Sequence, residues 1–285
     1  MKQTPLLALL FSLVSTPLIG NQTAITEAAG EACMGRDQSR NQTERTALTE
    51  AKRKAVEYSS TYIESTTRIE NFELQQDVIS AYSRADVRVL SVLDEKWESD
   101  CFTIRIRAEV IPSAPQNNSV AEDALALLKE PNAPLTIRLW SDKKEYHAGE
   151  HLKIYLTGNK DFYGRLIYSM ADGSFLELLP NPQRKNNRFD GDRLHTVPAD
   201  EDSFELQINP PFGTEELTLY ASTAPLGPIT KSVTGGYYTV QDSQDAVSTK
   251  TRGIKIVPVK SAEGTPASGV AEFSETSLTI VTSPM

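Results

Sequence analysis

From Asn41 to Glu64 the apolar positions fall at Ala47, Leu48, Ala51, Ala55, Val56, Tyr58 or Ser59, Tyr62 and Ile63, the spacing that gives a helix one apolar stripe. The other positions carry Glu44, Arg45, Glu50, Lys52, Arg53, Lys54 and Glu57, whose mixed signs predict a solvated face rather than an anion-binding one. After an extended stretch, Thr66 to Leu74, and a short helix near Gln75 to Tyr82, the period drops to two. Val87, Val89, Ser91 and Leu93 fall on one face of a strand and Arg88, Leu90, Val92 and Asp94 on the other; Phe102, Ile104, Ile106, Ala108 and Val110 repeat the pattern. These two runs predict a hairpin turning near Glu98-Ser99-Asp100. A helix over an antiparallel sheet gives an α+β domain across residues 30–111.

Residues 112–134 read as a linker, with Pro112, Pro115, Pro131 and Pro134 around a helical run from Val120 to Lys129. Ala121, Leu125 and Leu128 form the apolar side of that run and predict that it docks on a neighbouring domain. Beyond Pro134 the period is two: Leu135, Ile137 and Leu139; Leu152, Ile154 and Leu156; Phe204, Leu206 and Ile208; Leu217, Leu219 and Ala221; Ile254, Ile256 and Val259. Asp172-Gly173, between Leu166 to Met170 and Phe175 to Leu179, is a tight hairpin turn. Short strands broken by Gly, Pro and Asn predict an all-β, sandwich-like C-terminal domain over residues 135–260. Gly235-Gly236 and Gln241 to Thr251 read as a long loop. The tail, residues 261–285, ends in a strand, Ser277 to Val281, that the pattern leaves free to pair with either domain.

Residues 1–20 change the picture, because a basic start and an apolar run from Pro5 to Ile19 read as a secretory signal too short to span a bilayer. Cleavage is expected after Gly20, with Ala24 as a rival position. The exported protein is then expected in the periplasm or the medium, with no membrane span. Two cysteines in such a chain, Cys33 and Cys101, are most simply one structural disulfide. Cys33 as a lipid-modified N-terminus is disfavoured, since Gly30-Glu31-Ala32 is not the small apolar run that modification needs. A formal charge of -9, from 29 basic and 38 acidic residues, argues against nucleic acid as a partner.

Candidate chemistry is sparse. His147-Ala148-Gly149-Glu150-His151 matches the H-x-x-E-H pattern of zinc peptidases, in which a helix presents both histidines to the metal. Here the segment lies between period-two runs and Gly149 disfavours a helix, so a surface turn is expected. Ser141-Asp142-Lys143-Lys144 fits S-x-x-K only formally, and His195 has no nucleophile nearby in sequence. Asp190, Asp192, Asp200, Glu201 and Asp202 form an acidic stretch, 190–202, that could hold calcium, but Arg188 occupies a ligand position and a solvated loop is the better expectation. No cofactor is expected.

Two resemblances add to this reading. Gly30 to Gly35, Ala51 to Glu57, Tyr62 to Ser65, Ile69 to Leu74 and Ile106 to Val110 together resemble the N-terminal domain of flagellar assembly protein T. That resemblance implies a periplasmic or outer-membrane-associated module working by protein contact, without catalysis. Tyr146, Gly149, Glu150, Asp172, Gly173, Pro180 and Asn181, with Pro211 to Glu215, resemble an uncharacterised β domain of bacterial envelope proteins, which implies a fold and a compartment but no chemistry. The expectation is therefore a non-catalytic exported protein that binds or scaffolds an envelope protein partner. A flagellar basal-body accessory and a zinc hydrolase built on His147, Glu150 and His151 are the alternatives.

Overall fold

A computed structural model describes residues 21–36, 38–113, 126–253 and 269–285. The expected signal, the first part of the run at 120–129 and the strand expected at Ile254 to Val259 lie outside them. The described chain is mostly antiparallel β structure with few helices. Its elements are β1 (Asn21–Cys33), α1 (Arg40–Thr66), α2 (Phe72–Ser83), β2 (Asp86–Glu98), β3 (Cys101–Ile111), β4 (Ile137–Ser141), β5 (Glu145–His147), β6 (Ile154–Gly158), β7 (Phe162–Ser169), β8 (Phe175–Leu179), β9 (Arg188–Phe189), β10 (His195–Val197), β11 (Thr214–Ser222), β12 (Lys231–Thr234), β13 (Tyr237–Val240), α3 (Gln244–Thr251) and β14 (Val270–Ser283).

The amphipathic run folds as α1, opened by a capping box in which Ser39 and Gln42 satisfy each other's backbone N–H groups. Its buried stripe is made of small residues, Ala47, Ala51, Ala55 and Ser59, ending in Ile63. That stripe lies on β1, which the periodicity did not predict. β1 presents Ala24, Ala28 and Gly30 to the helix, and a Cβ built on Gly30 would stand 2.0 Å from the Ala47 carbonyl oxygen. The helix can sit this close only because both surfaces lack bulk. β1 pairs with β3 from Ala24↔Val110 to Cys33↔Cys101, which places the two cysteines opposite each other, joined as expected.

The disulfide closes a separation of 68 residues that contains α1, α2 and β2. The chain-entropy account puts its contribution at about 4 kcal/mol. Replacing both Cys33 and Cys101 by Ser should lower the melting temperature by roughly ten degrees. Differential scanning calorimetry checks this, and a variant melting with the wild type would show that pairing and packing alone hold the N-terminal region.

The hairpin turns where expected, with Ser99 at φ 53. The strict alternation expected of β2 fails, however. Register shifts between Val89 and Ser91 and between Val92 and Asp94 add two bulges, so Ser91 moves to the face opposite α1, beside Arg107, and Val92 to the α1 side, beside Ile106, where it is half exposed. α2 begins at Phe72, earlier than its periodicity, because Asn71 accepts from the N–H groups of Glu73 and Leu74. In the linker Ala121 and Leu125 lie outside the described residues and Leu128 is half-buried; the buried anchor among the described residues is Leu127, which packs against Ile69 and Ala133, beside Leu74 and Val78 of α2. Docking on the N-terminal region is thus seen, through a different residue.

The strands form an eleven-stranded sheet, in the order β12-β13-β8-β7-β11-β14-β1-β3-β2 with β5 on β14 and β9 on β7, and a three-stranded sheet, β10-β6-β4. β14 settles the open question of the final strand by joining both sides. Residues 270–275 pair with β1, and Phe273 to Val281 pair with β11. Alternate positions of β14 reach different cores. Leu278 and Ile280 enter the core between the two sheets with Leu156, Leu166 and Leu219, whereas Ala271 and Phe273 face Ile25, Tyr220 and Val247 on the other side. Helix α1 and the small sheet therefore lie side by side on one face of the large sheet, and α3 covers part of the opposite face.

The stretch expected as a long loop is ordered structure. Gly235 and Gly236, at φ 60 and 92, make the tight turn of the β12–β13 hairpin, and Ser243 caps α3. The strand expected at Phe204 to Ile208 does not form as one: it is reduced to a single bridge between Gln207 and His151, with bonds from Ile208 N to Glu150 O and from Leu152 N to Leu206 O holding the segment in place.

Candidate functional site

The side chains singled out in the sequence build turns rather than one reactive centre. Tyr146 is fully buried; its hydroxyl donates to Asp142 Oδ1 at 2.7 Å and accepts from Lys143 N at 3.1 Å. Burial, then the Asp142 carboxylate, pushes that phenol above its usual range. Gly149 takes φ 84, and Glu150 closes the turn by accepting from His147 N at 2.8 Å and from Lys143 Nζ at 2.7 Å. The Lys143 ammonium, followed by the His147 N–H, holds the Glu150 carboxyl below the ordinary range. In the second turn Asp172 accepts from Ser174 N and Oγ while Gly173 takes φ 83. The third follows the cis bond before Pro180: Asn181 donates to Leu178 O and accepts from the N–H groups of Gln183 and Arg184.

H-x-x-E-H lies in strand and turn geometry, as expected. Its three side chains have separate partners: His147 Nδ1 meets Ser283 Oγ at 2.8 Å, His151 Nε2 meets Glu205 at 3.0 Å, and Glu150 is committed to Lys143. Ser141 donates to the Lys143 carbonyl and His195 Nε2 meets the Asp190 carbonyl. The acidic stretch is likewise dispersed, with Asp190 on Arg193, Asp202 on Arg184 and Asp200 near Lys153. Among the described residues one group of potential metal ligands lies within 4.8 Å, Glu31 with Cys33 and Cys101, and its sulfurs are bonded to each other.

What the sequence reading missed is a set of buried carboxylates set into strands. Glu272 of β14, 2% exposed, accepts from Tyr62 of α1 at 3.2 Å, from Lys160 at 3.0 Å and from the backbone N–H of Leu135 at 2.5 Å. One side chain thus ties helix, linker and small-sheet edge together. Burial and the Glu272 charge raise the pKa values of Tyr62 and Tyr82. On the opposite face Glu109 of β3, 1% exposed, accepts from Thr23, from Arg88 and from Arg252 Nε at 2.9 Å. Arg252, at the end of α3, also reaches Glu275 at 2.5 Å and lies 4.6 Å from the Phe273 ring. A third carboxylate, Glu177, is held by Arg165 at 2.8 Å and by Lys231. Such groups are tolerated only when fully paired, so each marks a place where distant segments must meet. Their sequence signal is limited to a charge within an apolar run, such as Glu177 between Leu176 and Leu178.

Among the described residues, two open clefts lie on this frame. One, of about 440 Å³, lies where the small sheet ends over β7 and β8; Leu152, Tyr168, Leu176 and Leu178 line it with Phe204, Leu206 and Tyr237. The Tyr168 hydroxyl is fixed by Glu215, and Asn181 alone of the sequence-predicted turn residues reaches this cleft. The other, of about 490 Å³, runs between α1 and the hairpin, with Leu48, Trp97, Phe102 and Ile104 inside and Glu44, Arg45, Glu95 and Lys96 around them. No helix among the described residues is long and apolar enough to cross a membrane.

No curated protein shows significant similarity to the chain. A crystal structure of a DUF4785 family protein from Legionella pneumophila is 10% identical over 94% of this chain and 74% of that one, with a TM-score of 0.23, too low to support an argument. Two family models match parts of the chain. Residues 145–225, from β5 to just beyond β11, match a domain of unknown function, DUF4384, which leaves β4 and β14 outside the matched stretch. Residues 24–112, which include most of β1, match the N-terminal domain of flagellar assembly protein T.

Proposed function

We propose that this is a non-catalytic protein of the cell envelope, exported through residues 1–20, that binds or scaffolds a protein partner. The observation carrying this reading is the similarity of residues 24–112 to a flagellar assembly domain. The disulfide fits an oxidising compartment. The division of labour among side chains supports it too: the buried charged groups hold segments together, while the open clefts set aromatic and aliphatic side chains such as Trp97, Tyr168, Phe204 and Tyr237 among polar ones, a mixture that can contact proteins. Residues 24–112 and 145–225 are read as an α+β unit and a sandwich-like unit that share β14. Cleavage after Gly20 suits this arrangement better than cleavage at Ala24, which would remove Thr23 and its bond to Glu109.

Photo-crosslinking in envelope preparations tests the proposal. A crosslinker at Tyr237, on the cleft lip, should capture one reproducible protein that a crosslinker at exposed Leu194 does not. Identical capture from both positions, or none, would count against it. A flagellar role is the second reading, favoured by the same family match, and normal swimming of a deletion strain would exclude it. Stoichiometric zinc in the purified protein, lost on His147→Ala, would instead restore the hydrolase alternative.

A further inference from the structure

β2 is the outermost strand of the large sheet, and among the described residues only β3 pairs with it. It is thirteen residues long, and Val92 near its middle is 50% exposed. An open edge of this length is a template for another strand. Its flanks carry an ordered set of exposed charges: Asp86 and Arg88, which also donates to Glu109, on one side of Ser91, and Asp94 and Lys96, which also meets Glu98, on the other. Val87, Val89 and Trp97 pack on the α1 side, so these four charges share the opposite face; the two bulges between Val89 and Asp94 together restore the alternation.

We propose that two copies of the chain associate through β2, antiparallel, with Ser91 opposite Ser91. That register sets Asp86 against Lys96 and Arg88 against Asp94, each pair occurring twice, and brings Val92 of both copies to the centre. A slip by two residues, the smallest that keeps each side chain on its own face, reverses the result. In one direction Asp86 meets Asp94; in the other Arg88 meets Lys96 and Asp86 meets Glu98. Charges and bulges on an edge strand commonly keep it unpaired. Here the order of the signs, rather than their number, selects an identical strand in one register. Cross-strand pairs of opposite charge stabilise such a ladder and like charges oppose it. The small sheet and the C-terminal cleft lie at the far side of the large sheet and stay free in the dimer.

Sedimentation velocity of the full chain, from about 1 to 100 µM at low salt, should show a dimer fraction that rises with concentration and falls with added salt. Lys96→Asp and Asp86→Lys each place like charges opposite one another and should each weaken association at least about tenfold. Mixing the two variants should recover the dimer, because in the mixed pair position 86 of each copy again faces the opposite charge at position 96 of the other. Both positions are exposed, and circular dichroism verifies that the variants fold. A wild type that stays monomeric throughout, a dimer indifferent to both changes, or a mixture that fails to associate would each overturn the proposal.

Discussion

A chain ending at Gly269 should not fold cooperatively. Among the described strands β14 is the one that both β1 and β11 use, so its loss strips one of two hydrogen-bonding partners from each of two long strands at once. It also removes Phe273, Leu278 and Ile280 from cores on both faces, and it removes Glu272, which leaves Lys160 and Tyr62 without their shared acceptor. Burying three such side chains is worth about 1.5–3 kcal/mol each. The lost pairing and the unsatisfied cation add to that, and the total reaches the whole stability of an ordinary domain, about 5–15 kcal/mol. The truncated protein should be digested by trypsin within minutes under conditions where the full chain resists, and its heat-capacity peak should vanish. A milder change separates packing from pairing: Phe273→Ala keeps the ladder and should cost about 3–5 kcal/mol with a single sharp transition. If the truncated chain instead kept a cooperative transition near the original temperature, β14 would be an accessory strand, and the two regions would each hold a self-sufficient core.

The same elements show how far the sequence could be read. α1 was legible because its apolar stripe has the period of a helix, and the Asp172-Gly173 hairpin because few residues other than glycine take φ 83 at such a turn. β1 was not, for a physical reason. The property that lets a helix sit on it, Ala and Gly at the facing positions, removes the large β-branched and aromatic side chains by which a strand is recognised. Gly235-Gly236 reads as a loop in the sequence because glycine pairs serve both loops and tight turns, and the short flanking strands carry Lys231, Ser232 and Thr239. The destination of β14 was beyond reach, since a period of two says which face is buried but not which strand lies alongside. Strand and turn geometry at Tyr146, Gly149 and Glu150 gives the two histidines separate partners, Ser283 for His147 and Glu205 for His151. The buried carboxylates were missed because their partners are remote: Glu272 meets Tyr62 across 210 positions and Glu109 meets Arg252 across 143.

That remoteness makes the Glu109–Arg252 pair a sensitive measure of how the C-terminal part of the chain is tied to the N-terminal sheet. Arg252 is almost fully buried, and burial alone would pull its pKa down; the charges of Glu109 and Glu275 outweigh that and raise it. Arg252→Met keeps an apolar stem but removes the cation from the Phe273 ring and from two carboxylates, one of them 1% exposed. Breaking a buried pair from one side costs about 3–5 kcal/mol, because a buried charge is left without its partner. Arg88 softens the loss only in part, since it reaches Glu109 from a side chain that is half in solvent. Glu109→Gln should likewise destabilise, through the cation left behind. The double variant, Glu109→Gln with Arg252→Met, should then be more stable than the sum of the two losses predicts by about 1–3 kcal/mol, the coupling expected of groups in direct contact. Urea denaturation of the four proteins measures it. If the losses added without coupling, the pair would have no joint role, and α3 would be held by the Val247 and Phe273 packing alone. A large coupling would mean that these two charges, brought together only by the complete fold, stabilise the contact between the stretch after α3 and the strand β3.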